Sequence, residues 1–149
     1  MALTDTNNLY GLPAFLKNCA RMGLTPIVGA EVMNRSAPGR AVCLVENAAG
    51  YRNLCLLLTG RHRDPKFELA AALPPLARGL LVLSDDPGLL ETWHGAGVAV
   101  AAAVPRRPAG NFGRLRAAAR RLGVPLAAIA DSFFLAPEDH EVHRVLRAI

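Results

Sequence analysis

The sequence predicts an α/β fold, and three observations predict it. Short apolar runs of strand length recur along the chain. Stretches with helical spacing of apolar residues fall between them. Gly, Pro and Asn stand at most of the junctions. This alternation implies βα units with parallel strands, because a parallel pair needs a long crossover and a helix supplies it. An open doubly wound sheet and a barrel both satisfy the pattern. With 149 residues, 52% hydrophobic and 19% charged, the composition is that of one globular domain over residues 1–149. Aromatics are only 5%, so Leu, Val and Ala must build the core.

The elements follow in order. Met1 to Thr4 reads as the tail of a strand. Leu12, Phe15, Leu16 and Cys19 share a helical face, and Gly23 stops that helix. Thr25 to Met33 and Ala41 to Glu46 are strands. Asn47 caps a helix whose stripe is Tyr51, Leu54, Cys55 and Leu58. A short helix falls near Glu68 to Leu73, and Gly79 to Ser84 is a strand. Pro87 suits the first turn of a helix ending near His94. Gly97 to Val104 is a strand. Asn111 to Leu122 is a helix with Phe112, Leu115, Ala119 and Leu122 on one face. Pro125 to Ala130 is the last strand. Pro137 opens a final helix carrying Val142, Val145, Leu146 and Ile149 on one face.

Several function classes are set aside by what is missing. There is no G-x-G-x-x-G and no P-loop pattern, so the usual nucleotide-binding turns are absent. No apolar run approaches the roughly 18 residues of a membrane span, and no secretion signal opens the chain. A cytoplasmic location is expected. Cys19, Cys43 and Cys55 lie among apolar residues without a C-x-x-C pair and read as buried reduced thiols. The net charge of +5 and pI near 9.7 suit a nucleic-acid partner without identifying one. Arg114, Arg116, Arg120 and Arg121 are the candidate nucleic-acid contacts. Arg114 and Arg121 share one helix face, Arg116 and Arg120 another. A solvated helix face is the plainer reading, and no aromatic residues interleave to stack bases.

Four segments, in order, carry a resemblance. They are Ala2 to Gly11 (ALTDTNNLYG), Pro26 to Val32 (PIVGAEV), Gly50 to Thr59 (GYRNLCLLLT) and Pro137 to Ile149 (PEDHEVHRVLRAI), with GLLVLS and LGVPLAAIADSFFL between them. Together they resemble the PHP (polymerase and histidinol phosphatase) domain of the DNA polymerase III alpha subunit and its C-family relatives. The resemblance implies an incomplete, distorted (β/α)7 TIM-like barrel of the PHP type, lacking the first βα unit. In active members of that family, ligands at the C-terminal strand ends hold divalent ions that activate water for phosphoester hydrolysis.

Position by position, the resemblance implies a degenerate metal site. Thr4-Asp5-Thr6 stands where the family has T-D-H. Glu31 matches a glutamate ligand. Ala130-Asp131-Ser132-Phe133 stands where the family has N-D-x-H. Asp5, Glu31 and Asp131 are thus the retained carboxylates, read as vestigial ligands. Weakly held Mg, Mn or Zn is the most they would take, and no cofactor is expected. The family's H-x-H-x-H-S opening is not in the chain. His62 and His94 lie in loop-like contexts. His140 and His143, with Asp139, suit one helix face and read as solvated.

The expected function is therefore the PHP portion of a polymerase alpha-like subunit, a non-catalytic scaffold in replication or translesion synthesis. The alternative is a metal-dependent phosphoesterase or 3′–5′ exonuclease. A third reading is a basic DNA-binding module. Expected partners are the remaining polymerase domains or subunits, and DNA through the full polymerase. Self-association is also expected, because an incomplete barrel leaves strand edges open.

Overall fold

Among the described residues, six strands hydrogen-bond in strict chain order, β1 through β6, into one curled sheet. The computed structural model describes residues 1–35, 38–106, 110–130, 132, 134 and 136–146. The elements are β1 (Ala2–Thr6), α1 (Leu12–Met22), β2 (Ile27–Met33), β3 (Arg40–Val45), α2 (Ala48–Arg63), α3 (Leu69–Ala72), a 3-10 turn (Pro74–Leu76), β4 (Leu80–Ser84), α4 (Pro87–Gly95), β5 (Val100–Pro105), α5 (Phe112–Leu122), β6 (Leu126–Ile129) and α6 (Asp139–Leu146). Sequential order is that of a barrel wall. In a doubly wound sheet the order reverses at a switch point.

The sheet is not all parallel, which corrects the expectation. β1 runs parallel to β2, and β4, β5 and β6 run parallel to one another, but β3 is antiparallel to both β2 and β4. Only residues 34–39 join β2 to β3. That is too short for a crossover, so the chain must turn back on itself. The consequence matters for the site: the first residue of β3 lies at the same end as the last residues of β1, β2 and β4.

The two faces of the sheet bury different sets. Ala30, Val32, Ala41, Cys43, Leu80, Val82, Val100 and Ala102 face the helices and join Leu54, Leu57, Leu90, Trp93 and Leu115 in the main core. The alternate residues Leu83, Ala101 and Ala103 form a second cluster on the other face with Val42, Leu44, Leu81, Ala127 and Ile129.

Helix α1 ends where Gly23 takes a left-handed φ of 65°, and Asn47 Oδ1 accepts from Gly50 N at 3.1 Å to open α2. The buried face of α2 is rotated from the expected stripe. Gly50, Leu54, Leu57 and Leu58 are buried, whereas Tyr51 is 43% exposed. The cause is Gly50, which lets the helix approach the backbone before β4. A Cβ there would stand 1.8 Å from the Gly79 carbonyl oxygen. Helix α5 buries Leu115 and Ala119 of the expected face together with Ala118, while Phe112 and Leu122 are half-buried. Helix α6 leaves Val142 and Val145 exposed. All three cysteines are free; Cys19 and Cys43 are buried and Cys55 half-buried.

Candidate functional site

The strand ends gather one polar cluster on the face of the second apolar set. Thr6 closes β1, Glu31 lies near the end of β2, Arg40 opens β3 and Asp85 follows β4. Register explains the meeting: Thr6 pairs with Glu31, Glu31 with Val42, and Met33 with Arg40, so Arg40 is a diagonal neighbour of Glu31 on the same face. Thr6 Oγ1 donates to Glu31 Oε2 at 2.8 Å, and Arg40 Nη1 donates to Glu31 Oε1 at 2.8 Å. The Arg40 guanidinium then reaches Asp85 Oδ2 from Nε at 3.2 Å and from Nη2 at 3.0 Å. One fixed cation thus joins two carboxylates, and a hydroxyl takes the remaining oxygen of Glu31.

Neighbouring loops hold this arrangement. Ser84 Oγ donates to the Arg40 carbonyl at 3.1 Å and accepts from Asp86 N at 3.2 Å. Asn111 Nδ2 donates to the Asp85 carbonyl at 3.0 Å. Asn7 adopts a left-handed φ of 58°, tolerable for Asn. Its N–H donates to the Glu31 carbonyl at 2.7 Å, and its Oδ1 accepts from Met33 N at 2.9 Å. These bonds set the turn that follows Thr6. Glu31 is buried, with its side chain 10% exposed, against 23% for Arg40 and 30% for Asp85.

The candidate ligands do not all converge. Asp5 alternates with Thr6 along β1, so it faces the helix side, away from Glu31. There its Oδ2 accepts from Gly11 N at 2.8 Å and pins the loop into α1. Asp131 lies outside the described residues. Among the described residues, no group of three or more His, Cys, Asp or Glu could hold a metal ion. The histidines are elsewhere. His62 Nε2 donates to the Asn7 carbonyl at 2.7 Å, and His140 and His143 stand edge-on to Phe134.

The four arginines of α5 divide as their spacing suggests. Arg114 and Arg121 line a groove against α4, with Asp86 and Glu91. Arg121 is ion-paired to Glu91 there. Arg116 and Arg120 are exposed on the other flank.

Arg40 and Asp85 are the members of the cluster that sequence reasoning missed. A signal existed: each is a charged residue at the boundary of an apolar strand run, where barrel folds place their chemistry.

Residues 1–96 match the PHP domain family. The chain belongs to that family. The match contains Thr6, Glu31, Arg40 and Asp85. The error-prone DNA polymerase of Anaeromyxobacter dehalogenans (strain 2CP-C) is 37% identical to this PHP domain over 155 residues, covering 88% of the chain and 14% of the relative. The DNA polymerase III subunit alpha of Pasteurella multocida is 29% identical over 180 residues, covering all of the chain and 16% of the relative. The chain therefore spans about one-seventh of the length of such curated relatives. A Bifidobacterium adolescentis protein, provisionally named a metal-dependent phosphoesterase, shares the fold at a TM-score of 0.56. It is 13% identical, and the match covers 98% of this PHP domain and 84% of that chain. No helix among the described residues is long and apolar enough to cross a membrane.

Proposed function

We propose that this PHP domain is a non-catalytic scaffold of a DNA polymerase III alpha-like or error-prone polymerase. The observation that carries this reading is the Arg40 bridge between Glu31 and Asp85. A catalytic divalent ion needs several open oxygen or nitrogen donors, and paired ions need more. Here Glu31 gives both oxygens to protein donors, and Asp85 shares its Oδ2 with the same guanidinium. Asp5 serves a backbone amide on the opposite face. This described donor set does not fit a tightly held metal, so no hydrolytic step is derived through one.

On this reading the domain acts in the cytoplasm, in replication or translesion synthesis. Its partners are the remaining polymerase domains or subunits, and it meets DNA through them. On the same reading the six-stranded sheet of the described residues is part of a distorted (β/α)7 barrel.

The phosphoesterase reading is favoured by one fact, the retained Glu31 at a strand end of a fold shared with a provisionally named phosphoesterase. The test is calorimetric titration with Mn and Zn, alongside hydrolysis of a chromogenic phosphate ester and of end-labelled single-stranded DNA. The scaffold reading expects neither tight binding nor turnover. Stoichiometric Mn or Zn binding, with activity lost in Glu31→Gln, would establish the enzyme instead.

A further inference from the structure

We infer that the groove between α4 and α5 is the seat for helix α6 of a second copy of this chain. The groove is open, about 390 Å³ in volume, and lined from both helices. Arg114, Ala117, Ala118 and Arg121 fall at i, i+3, i+4 and i+7 on α5, so two arginines bracket a floor of two alanines. The arginines stand about 10.5 Å apart along the helix axis, at roughly 1.5 Å per residue. Side chains as small as alanine let a further helix approach closely, because the side chains at the contact set the distance between packed helices.

The two ends of that stripe differ in charge. Arg121 is ion-paired to Glu91. The other carboxylate of the lining, Asp86, turns Oδ1 to its own helix start, accepting from Gly88 N at 2.8 Å and Leu89 N at 3.2 Å. Helix α5 carries four arginines and no acid. Among the described residues Arg114 has no carboxylate partner, so the groove lacks one acid at that end.

Helix α6 supplies the complement. The rings of His140 and His143 stand edge-on to Phe134, with centroids 5.7 and 5.4 Å away, which fixes the face that α6 turns inward. At about 100° per residue, Glu141, Val142 and Val145 lie on the opposite face. Val142 and Val145 are 61% and 62% exposed, so the groove of the same copy does not take them. Seated on Ala117 and Ala118 of another copy, the valines would leave water, and Glu141, one turn before Val145, would meet Arg114. A nucleic-acid backbone entering the groove would instead meet Asp86 and Glu91 and leave the valines exposed. A second copy answers the unpaired arginine and covers both valines at once.

The test is sedimentation velocity over a concentration range, with a thermal melt of each variant. Wild type should associate as concentration rises. Arg114→Glu alone and Glu141→Arg alone should each weaken association at least about tenfold, because each sets like charges against one another across the contact. An equimolar mixture of the two variants should associate again, since the reversed groove of one copy then meets the reversed helix of the other. Docking within a single copy could not give that recovery. Val142→Ser with Val145→Ser should also weaken association, and Arg116→Glu, on the exposed flank of α5, should leave it unchanged. If a charge variant does not fold, the valine pair set against Arg116→Glu still decides the matter. A monomer at every concentration overturns the proposal, as does a mixture no more associated than its two components. Association that ignores the groove and helix variants overturns it too, and leaves the sheet edges as the interface.

Discussion

Replacing Arg40 with Met should cost this domain about 2–3 kcal/mol. Met preserves much of the aliphatic stem, so the loss isolates the charge. Glu31 would then stand with its side chain 10% exposed and, among the described residues, only the Thr6 hydroxyl as a side-chain donor. Removing one partner of a fully buried ion pair costs about 3–5 kcal/mol, because the other charge stays desolvated. Arg40 and Asp85 are 23% and 30% exposed, so water relieves part of that and the expectation drops to about 2–3 kcal/mol. For a domain of this size the melting temperature should fall by roughly 6–9 °C. Urea unfolding followed by far-ultraviolet circular dichroism measures the loss. A double-mutant cycle with Glu31→Gln should give a coupling of about 1–2 kcal/mol, since neutralising Glu31 removes the penalty. A loss under about 0.5 kcal/mol, or strict additivity in the cycle, would show that the guanidinium does not hold the carboxylates and would remove the main support for the scaffold reading.

Three further outcomes are expected. Gly50→Ala should destabilise by about 3 kcal/mol or more, measured by thermal melting, because its Cβ would meet the Gly79 carbonyl and backbone cannot yield as a side chain can. Burial pushes the Cys43 thiol up from 9.0 to about 12, so the unfolded thiol ionises first; the stability it confers is intact below pH 9.0 and declines as pH rises toward 12. Urea midpoints on either side of pH 9.0 should show that decline, and Cys43→Ala should flatten it. Finally, sedimentation over a concentration range should reveal self-association, because β1 and β6 are the sheet edges among the described residues and Leu126, Val142 and Val145 are 48%, 61% and 62% exposed. A single monomeric species at all concentrations would contradict it.

Local chemistry was legible where it acts within a few residues. Gly23, Asn47 and Pro87 marked helix boundaries because each satisfies a steric or hydrogen-bonding need of its own turn. The rotation of α2 was not legible, because it depends on Gly50 meeting Gly79, and periodicity is blind to contacts between distant segments. The antiparallel strand was in principle readable: six residues between two apolar runs cannot hold a crossover. Alternation along the rest of the chain outweighed that count.

The site shows the same division more sharply. Motif matching singled out Asp5 and Glu31 as equivalent carboxylates, yet adjacent residues on a strand point to opposite faces, so Asp5 and Thr6 cannot serve one cluster together. Thr6, which reads as a lost imidazole, is the residue that meets Glu31. Arg40 was invisible because its partners lie 9 and 45 residues away and become neighbours only through the β2–β3 reversal. That reversal gives the substitution its physical sense. Carboxylates converging at the strand ends must be neutralised, and a metal does so only while bound. A guanidinium tethered to β3 does so at every accessible pH and without a ligand in solution. On the scaffold reading, a domain held this way keeps Glu31 and Asp85 together at its strand ends and needs no metal to do so.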